Sequence, residues 1–244
     1  TFHYAGVGAI YITLGLPRII EIVDARKKLS TPTMKIKLLE EYALERNKAE
    51  KLAMEIEETH IRDIGTSEVS TEEMCVWLTL NEKKLEERYI TSEEVVEKIR
   101  GIGTDVLVEV EEDRRLRIEK KKRSYHELLR LEEKVSETLV KGIEGIKRVL
   151  VRKEPNEGYM LYTEGSELKK VLKIDGVDFR RATTNNIAEI AEVLGIEAAR
   201  NAIVEEMMST LEEQGLDVDA RHITLIADAM TMDGEVKQIG RHGI

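Results

Sequence analysis

Met34-Lys35-Ile36-Lys37-Leu38 alternates apolar and basic side chains, the period-two pattern of a strand with one buried face. The period then changes. Leu44, Lys48, Leu52 and Ile56 form one stripe of the charged stretch Glu41–Glu58, which reads as an amphipathic helix. A strand followed at once by a helix, each with one face to bury, sets the fold class as α+β, with small antiparallel sheets and mixed helices.

Upstream, Leu14-Gly15-Leu16-Pro17-Arg18 leads into Ile19, Ile20, Ile22 and Val23. Pro17 suits the first position of a helix, where its missing N–H costs nothing. Lys27 and Lys28 are expected in the last turn, and Ser30-Thr31-Pro32 closes the element. Thr1–Thr13 has glycines and β-branched or aromatic residues without a helical stripe. Together these residues read as a glycine-containing loop feeding a short helix.

Downstream, Val76–Leu80 reads as a short strand. Ser92, with Glu94 close behind, is expected to cap a helix running to Arg100, stopped by Gly101 and Gly103. Val106, Val108 and Val110 alternate again. After the charge run Glu119–Arg123, a long helix is expected to carry Leu128, Leu131, Val135, Leu139 and Ile143. Val149–Arg152 and Met160–Thr163 flank Glu154-Pro155-Asn156-Glu157-Gly158 as a hairpin, with Val171–Ile174 as a third strand. The C-terminal part is mainly helical. Thr183, Thr184 and Asn185 offer N-cap oxygens before Ile187–Leu194, Gly195 stops that helix, and Ile196–Gln214 and His222–Met230 follow.

Composition narrows the function. The 244 residues carry 38 Lys+Arg against 48 Asp+Glu, a net charge of −10, so free-standing attraction to nucleic acid is weak. Aromatics are only 4%, which leaves few stacking platforms for single strands. One cysteine, Cys75, excludes an intramolecular disulfide and a Cys-cluster zinc site, and fits a reducing cytoplasm. No apolar run approaches the ~20 residues of a membrane span.

Several local motifs read as structure. Gly142-Ile143-Glu144-Gly145-Ile146-Lys147 lacks the glycine spacing and the Ser/Thr of a phosphate loop. His60-Ile61-Arg62-Asp63 is not a two-histidine zinc helix. Asp217-Val218-Asp219 is read as a helix cap rather than a Mg²⁺ site, and Cys75, between Met74 and Val76, as an inert buried thiol. Lys120-Lys121-Lys122-Arg123 adjoins Glu111, Glu112 and Glu119 and reads as a solvated charged face.

Two segments resist such an account. Thr1-Phe2-His3-Tyr4-Ala5-Gly6-Val7 packs a histidine and two aromatics into an aromatic-poor chain, and Gly240-Arg241-His242-Gly243 brackets a basic pair with glycines. With Ile12–Arg18, Ile20–Lys27 and Ser30-Thr31-Pro32, the first segment resembles the largest-subunit family of multisubunit RNA polymerases. The resemblance continues in Thr184-Asn185-Asn186-Ile187, Glu192–Arg200, Val218–Ile223 and Ala227–Thr231, and closes with Gly240–Gly243. It is nearest to the archaeal form, in which the C-terminal part of that subunit, A″, is encoded separately. Residues 1–34 and 176–244 carry the match, and residues 35–175 are compatible with the family's variable jaw.

The resemblance implies three regions. Residues 1–34 correspond to the second half of the trigger loop and the following helix, 35–175 to the jaw and cleft, and 176–244 to a C-terminal helical region with a switch segment. His3 matches the catalytic histidine that reaches the triphosphate as the lid closes, and Arg241 and His242 match a pair that contacts the template-strand backbone. The implied activity is DNA-directed nucleotidyl transfer. Mg²⁺ is held by the partner half of the largest subunit (A′), not by this chain, which alone is catalytically silent. Implied partners are A′, the second-largest subunit, a small jaw-associated subunit, DNA template, RNA product and nucleoside triphosphates, in the cytoplasm. Gly8-Ala9-Ile10-Tyr11 departs from the family's usual polar loop tip. A non-catalytic scaffold of the same assembly is the alternative, and the two readings part at His3.

Overall fold

The computed structural model describes residues 15–103, 105–111, 115–120, 124–155 and 157–240. Along the chain run α1 (Leu16–Val23), β1 (Thr33–Lys37), α2 (Glu40–Ala43), α3 (Arg46–Ile56), β2 (Thr59–His60), α4 (Ile61–Ile64), β3 (Gly65–Ser70), β4 (Cys75–Leu80), α5 (Glu82–Glu87) and α6 (Ser92–Arg100). Then follow β5 (Val106–Val110), β6 (Arg115–Lys120), α7 (Tyr125–Glu137), β7 (Leu139–Lys141), β8 (Arg148–Glu154), β9 (Gly158–Glu164), α8 (Leu168–Val171), β10 (Thr183–Thr184), α9 (Ile187–Leu194), α10 (Ile196–Glu213) and α11 (Ala220–Thr231). This is an α+β chain, and no helix among the described residues is long and apolar enough to cross a membrane.

The chain divides into two compact units, Thr1–Ala53 with Gly145–Ile244, and Met54–Glu144. The first is built on an antiparallel sheet in the order β10-β1-β9-β8. The alternation at residues 34–38 is real: Met34 and Ile36 are buried, and β1 pairs with β9 through Met34↔Thr163 and Ile36↔Leu161. The hairpin β8–β9 forms around the loop after Glu154, as its turn residues require. Three C-terminal helices complete this unit, with Ala199, Ile203 and Met207 of α10 and Ile223, Ala227 and Met230 of α11 buried at helical spacing.

In the second unit a sheet ordered β3-β4-β6-β5 buries Val76, Leu78, Leu116 and Ile118. Val95 and Ile99 of α6 and Leu128, Leu131 and Val135 of α7 join the same core. Cys75 is fully buried, and burial together with Glu73 pushes its thiol above the usual range, as suits an inert side chain.

Several elements differ from the pattern reading. The stretch Glu41–Glu58 is two helices, and Leu44 between them is 79% exposed; the buried stripe is Ala49, Leu52, Ala53 and Ile56. Arg115–Lys120 is a strand whose buried Leu116 and Ile118 are masked in the sequence by flanking charge. α7 stops at Glu137 because Thr138 turns extended, so Leu139 starts β7 and pairs with β2. Val171–Ile174 is not a strand, since Val171 ends the short helix α8. The cap of α6 is Thr91 rather than Ser92, in a reciprocal capping box with Glu94. α1 stops at Val23, with Ala25 at φ 48°, so Lys27 and Lys28 lie beyond its last turn.

Asp219 caps α11 as expected. Its carboxylate accepts from the Arg221 backbone N–H at 2.9 Å and from the Arg221 guanidinium at 2.6 Å. The guanidinium foremost, then the backbone bond, hold its pKa down to about 2 from 3.8. A depressed folded pKa means that the cap's contribution is complete above about 3.8 and is lost as pH falls through about 2. NMR titration of the Asp219 carboxyl should therefore show a midpoint near 2, and Arg221→Ala should raise it.

Candidate functional site

α1 is built inside out. Arg18 and Glu21, three residues apart on its inner side, are 3% and 4% exposed, while Leu16 and Ile20 are 64% and 43% exposed. Burying a charge is costly unless it is paired and fully hydrogen-bonded, and Arg18 meets that condition. Its Nη2 donates to the Asn185 carbonyl at 2.6 Å and to Glu206 Oε2 at 2.9 Å. Its Nε donates to the same carboxylate oxygen at 3.3 Å, and Nη1 reaches Glu21 Oε2 at 3.4 Å. The other oxygen of Glu21 accepts from the Ser30 hydroxyl at 2.6 Å and the Ser30 amide at 3.2 Å. α1 is thus tied to α10 through Glu206, to the β10–α9 junction through Asn185, and to its own outgoing loop through Ser30.

The Thr183-Thr184-Asn185 block was expected to cap α9. Its bonds go largely elsewhere. The Asn185 side chain accepts from the Thr33 amide and donates to the Thr31 carbonyl, both at 2.9 Å, so it clasps the segment between α1 and β1. Thr184 Oγ1 accepts from the Asn186 amide at 3.2 Å. Asn186 occupies the cap position without a side-chain cap bond, and its Oδ1 is buried without a partner.

Gly15 stands at the N-terminal end of α1, buried, at φ 72° and ψ −147°, a conformation that L side chains rarely adopt. The Gln214 side chain lies 3.4 Å from where a Cβ would be. At the other end of α1, the Val23 carbonyl accepts from the Ile239 amide at 3.0 Å, and Lys237 N–H bonds to the Met230 carbonyl at 2.8 Å. Residues 1–14 therefore join the described fold at one end of this eight-residue helix, and the chain leading to residue 241 is fastened at the other. A helix of that length spans ~12 Å.

The sequence-predicted site residues His3, Arg241 and His242 lie outside the described residues, as does the loop tip Gly8–Tyr11. The described structure brings together the roots of their segments. Arg18, Glu21 and Glu206 were missed. The available signal was that Arg18 and Glu21 are the only charges within Leu16–Val23, a helix otherwise too apolar to lie on a surface. Two cavities of about 130 and 60 Å³ open on this unit, both well below the ~300 Å³ of a typical small-molecule site. Among the described residues, no three His, Cys, Asp or Glu side chains gather to hold a metal. What this root can do is position: it gives two outgoing segments one rigid base.

The family model described as RNA polymerase Rpb1, domain 5, matches residues 1–244. Over its whole length the chain is 52% identical to DNA-directed RNA polymerase subunit Rpo1C of Methanocaldococcus jannaschii and spans 28% of that protein. It is 47% identical to the Rpo1C subunit of Thermococcus gammatolerans and spans 62% of it.

Proposed function

Because this chain belongs to the RNA polymerase Rpb1 domain 5 family, we propose that it serves as the C-terminal part of the largest subunit of an archaeal DNA-directed RNA polymerase. In this reading it contributes the second half of the trigger loop, the jaw and a template-contacting switch to an active site shared with A′ and the second-largest subunit. The jaw takes a small associated subunit, and the assembly works in the cytoplasm. The common footing of the two outgoing segments on α1 supports the reading most directly, because a lid and a template contact must be held in fixed register to serve one reaction.

The chemistry follows from residue type. His3, delivered to the triphosphate by a closing lid, donates a hydrogen bond or a positive charge to a phosphate oxygen as negative charge develops. Gly15 supplies the backbone freedom that such a lid needs, beside a helix that Arg18 keeps still. Arg241 and His242 contact the template backbone, which positions the strand without reading its sequence. Mg²⁺ held by A′ supplies charge neutralisation at the phosphates.

Reconstitution tests this reading. Template-directed primer extension should require the chain and stop when it is left out; extension at full rate without it would overturn the reading. Arg241→Ala should weaken template binding about equally across sequences and lower the salt slope of binding by about one. Filter binding over a salt series measures both.

A further inference from the structure

The loop between α1 and β1 carries a basic run that the polymerase reading leaves unused. We propose that Ser30 is a phosphorylation site for a basophilic serine kinase, and that a phosphate there loosens the footing of α1. The site itself stands apart from the polymerase reading, whereas its effect on nucleotide addition rests on the function proposed above.

Sequence and exposure single out this serine. Arg26-Lys27-Lys28-Leu29-Ser30 sets three cations just ahead of a hydroxyl. Those cations and Ser30 are exposed, and residues 24–32 form neither helix nor strand, so the segment can lie extended in an acidic substrate cleft. Arg26 meets Asp24 at 3.2 Å, an exposed pair that a kinase carboxylate can replace. Lys27 and Lys28 enter no ion pair among the described residues. The neighbouring hydroxyls are less open: Thr31 and Thr33 are half-buried, and the Asn185 side chain clasps the backbone of both. Ser124 also follows a basic run, Lys120–Arg123, but its hydroxyl makes no cap bond to α7.

The contacts of Ser30 give the modification its consequence. Its hydroxyl donates to Glu21 Oε1 at 2.6 Å and its amide to the same oxygen at 3.2 Å, and Glu21 in turn pairs with Arg18. In the transfer, Ser30 Oγ bonds to the γ-phosphorus of ATP and the bond from that phosphorus to the β,γ-bridging oxygen breaks. ADP leaves with the electron pair, and the hydroxyl proton passes to the kinase's base. The donor to Glu21 is then gone, and a group carrying ~1.5–2 negative charges stands beside a buried carboxylate. Repulsion turns the phosphate away. A cavity of about 130 Å³ lined by Ser30, Gly145, Lys147 and Gly165 has room for a phosphoryl group. Glu164 shares its wall, while Lys147 is exposed, enters no ion pair among the described residues, and offers the phosphate a charge-assisted hydrogen bond. The bond between α1 and its outgoing loop is lost in the exchange.

Phosphopeptide mapping of the full chain, isolated from its own growing and starved cells, should find phosphate on Ser30 in at least one state; absence from both would overturn the proposal. A purified basophilic serine kinase with Mg²⁺ and ATP should modify Ser30 of the full chain, and Arg26→Ala with Lys27→Ala should slow that transfer several-fold. Transfer to Ser124 or Thr31 alone would overturn the assignment. The phosphorylated chain should unfold at lower urea in its far-UV circular dichroism transition, by more than Ser30→Ala, which loses the hydrogen bond without adding charge. Trp77, the chain's one tryptophan, belongs to the other unit, and its fluorescence transition should not move. A shift no larger than that of Ser30→Ala would overturn the coupling to α1. In a reconstituted polymerase the modified chain should add nucleotides several-fold more slowly. An unchanged rate beside an active unmodified enzyme would overturn that effect and leave the polymerase reading intact, whereas an inactive unmodified enzyme would count against the polymerase reading and leave the mapping and urea results to decide Ser30.

Discussion

Replacing His3 with alanine in a reconstituted polymerase should slow single-nucleotide addition about 10²-fold, the usual cost of removing one donor to the transition state. Assembly and template binding should persist. His3→Gln keeps a hydrogen-bond donor but cannot gain charge, so it should recover part of the rate and flatten its dependence on pH between about 6 and 8. Rapid-quench measurement of the chemical step separates this from slower loading of nucleotide. An unchanged rate in a fully assembled enzyme would leave the non-catalytic scaffold as the surviving reading.

The second large effect falls on stability. Arg18→Met leaves Glu21, 4% exposed, as a buried carboxylate without its cation, and takes a partner from Glu206. Breaking a buried pair in this way costs about 3–5 kcal/mol. The double variant Arg18→Met with Glu21→Met removes the stranded charge and should recover a large part of that loss, a coupling that a double-mutant cycle measures. The probes separate conveniently. Trp77 belongs to the unit Met54–Glu144, so its fluorescence transition in urea should hold its midpoint while the far-UV circular dichroism transition moves. A loss below about 1 kcal/mol would mean that Arg18 behaves as a surface pair does.

Legibility in the sequence followed the apolar periodicity. Residues 34–38, the hairpin on either side of Glu154–Gly158 and the helices from Ile187 onward each bury one regular face, and each was readable. Periodicity failed where charge or tertiary pairing decided the outcome. Arg115-Leu116-Arg117-Ile118 alternates as a strand should, but two arginines and the acidic run before it disguised the pattern. Leu139 continued a helical stripe until pairing with β2 claimed it for a strand. α1 was located, but its polarity was not: an inward-facing Arg–Glu pair breaks the rule that charges face water. Only partners distant in sequence, Asn185 and Glu206, make that arrangement affordable. The resemblance pointed to His3, Arg241 and His242 and to a helix after the loop, but not to the buried Arg18–Glu21–Glu206 contacts that anchor that helix.

That helix has a consequence for how the gene can vary. Each residue added to α1 advances its far end by ~1.5 Å and turns it by ~100° relative to the near end. Substitutions at Leu16 or Ile20 leave this phase untouched, whereas a single-codon insertion or deletion between Gly15 and Val23 would rotate one outlet away from the other while Arg18 kept its bolt in place. The length of α1 should therefore be far more constant among working copies of this gene than its outward-facing letters.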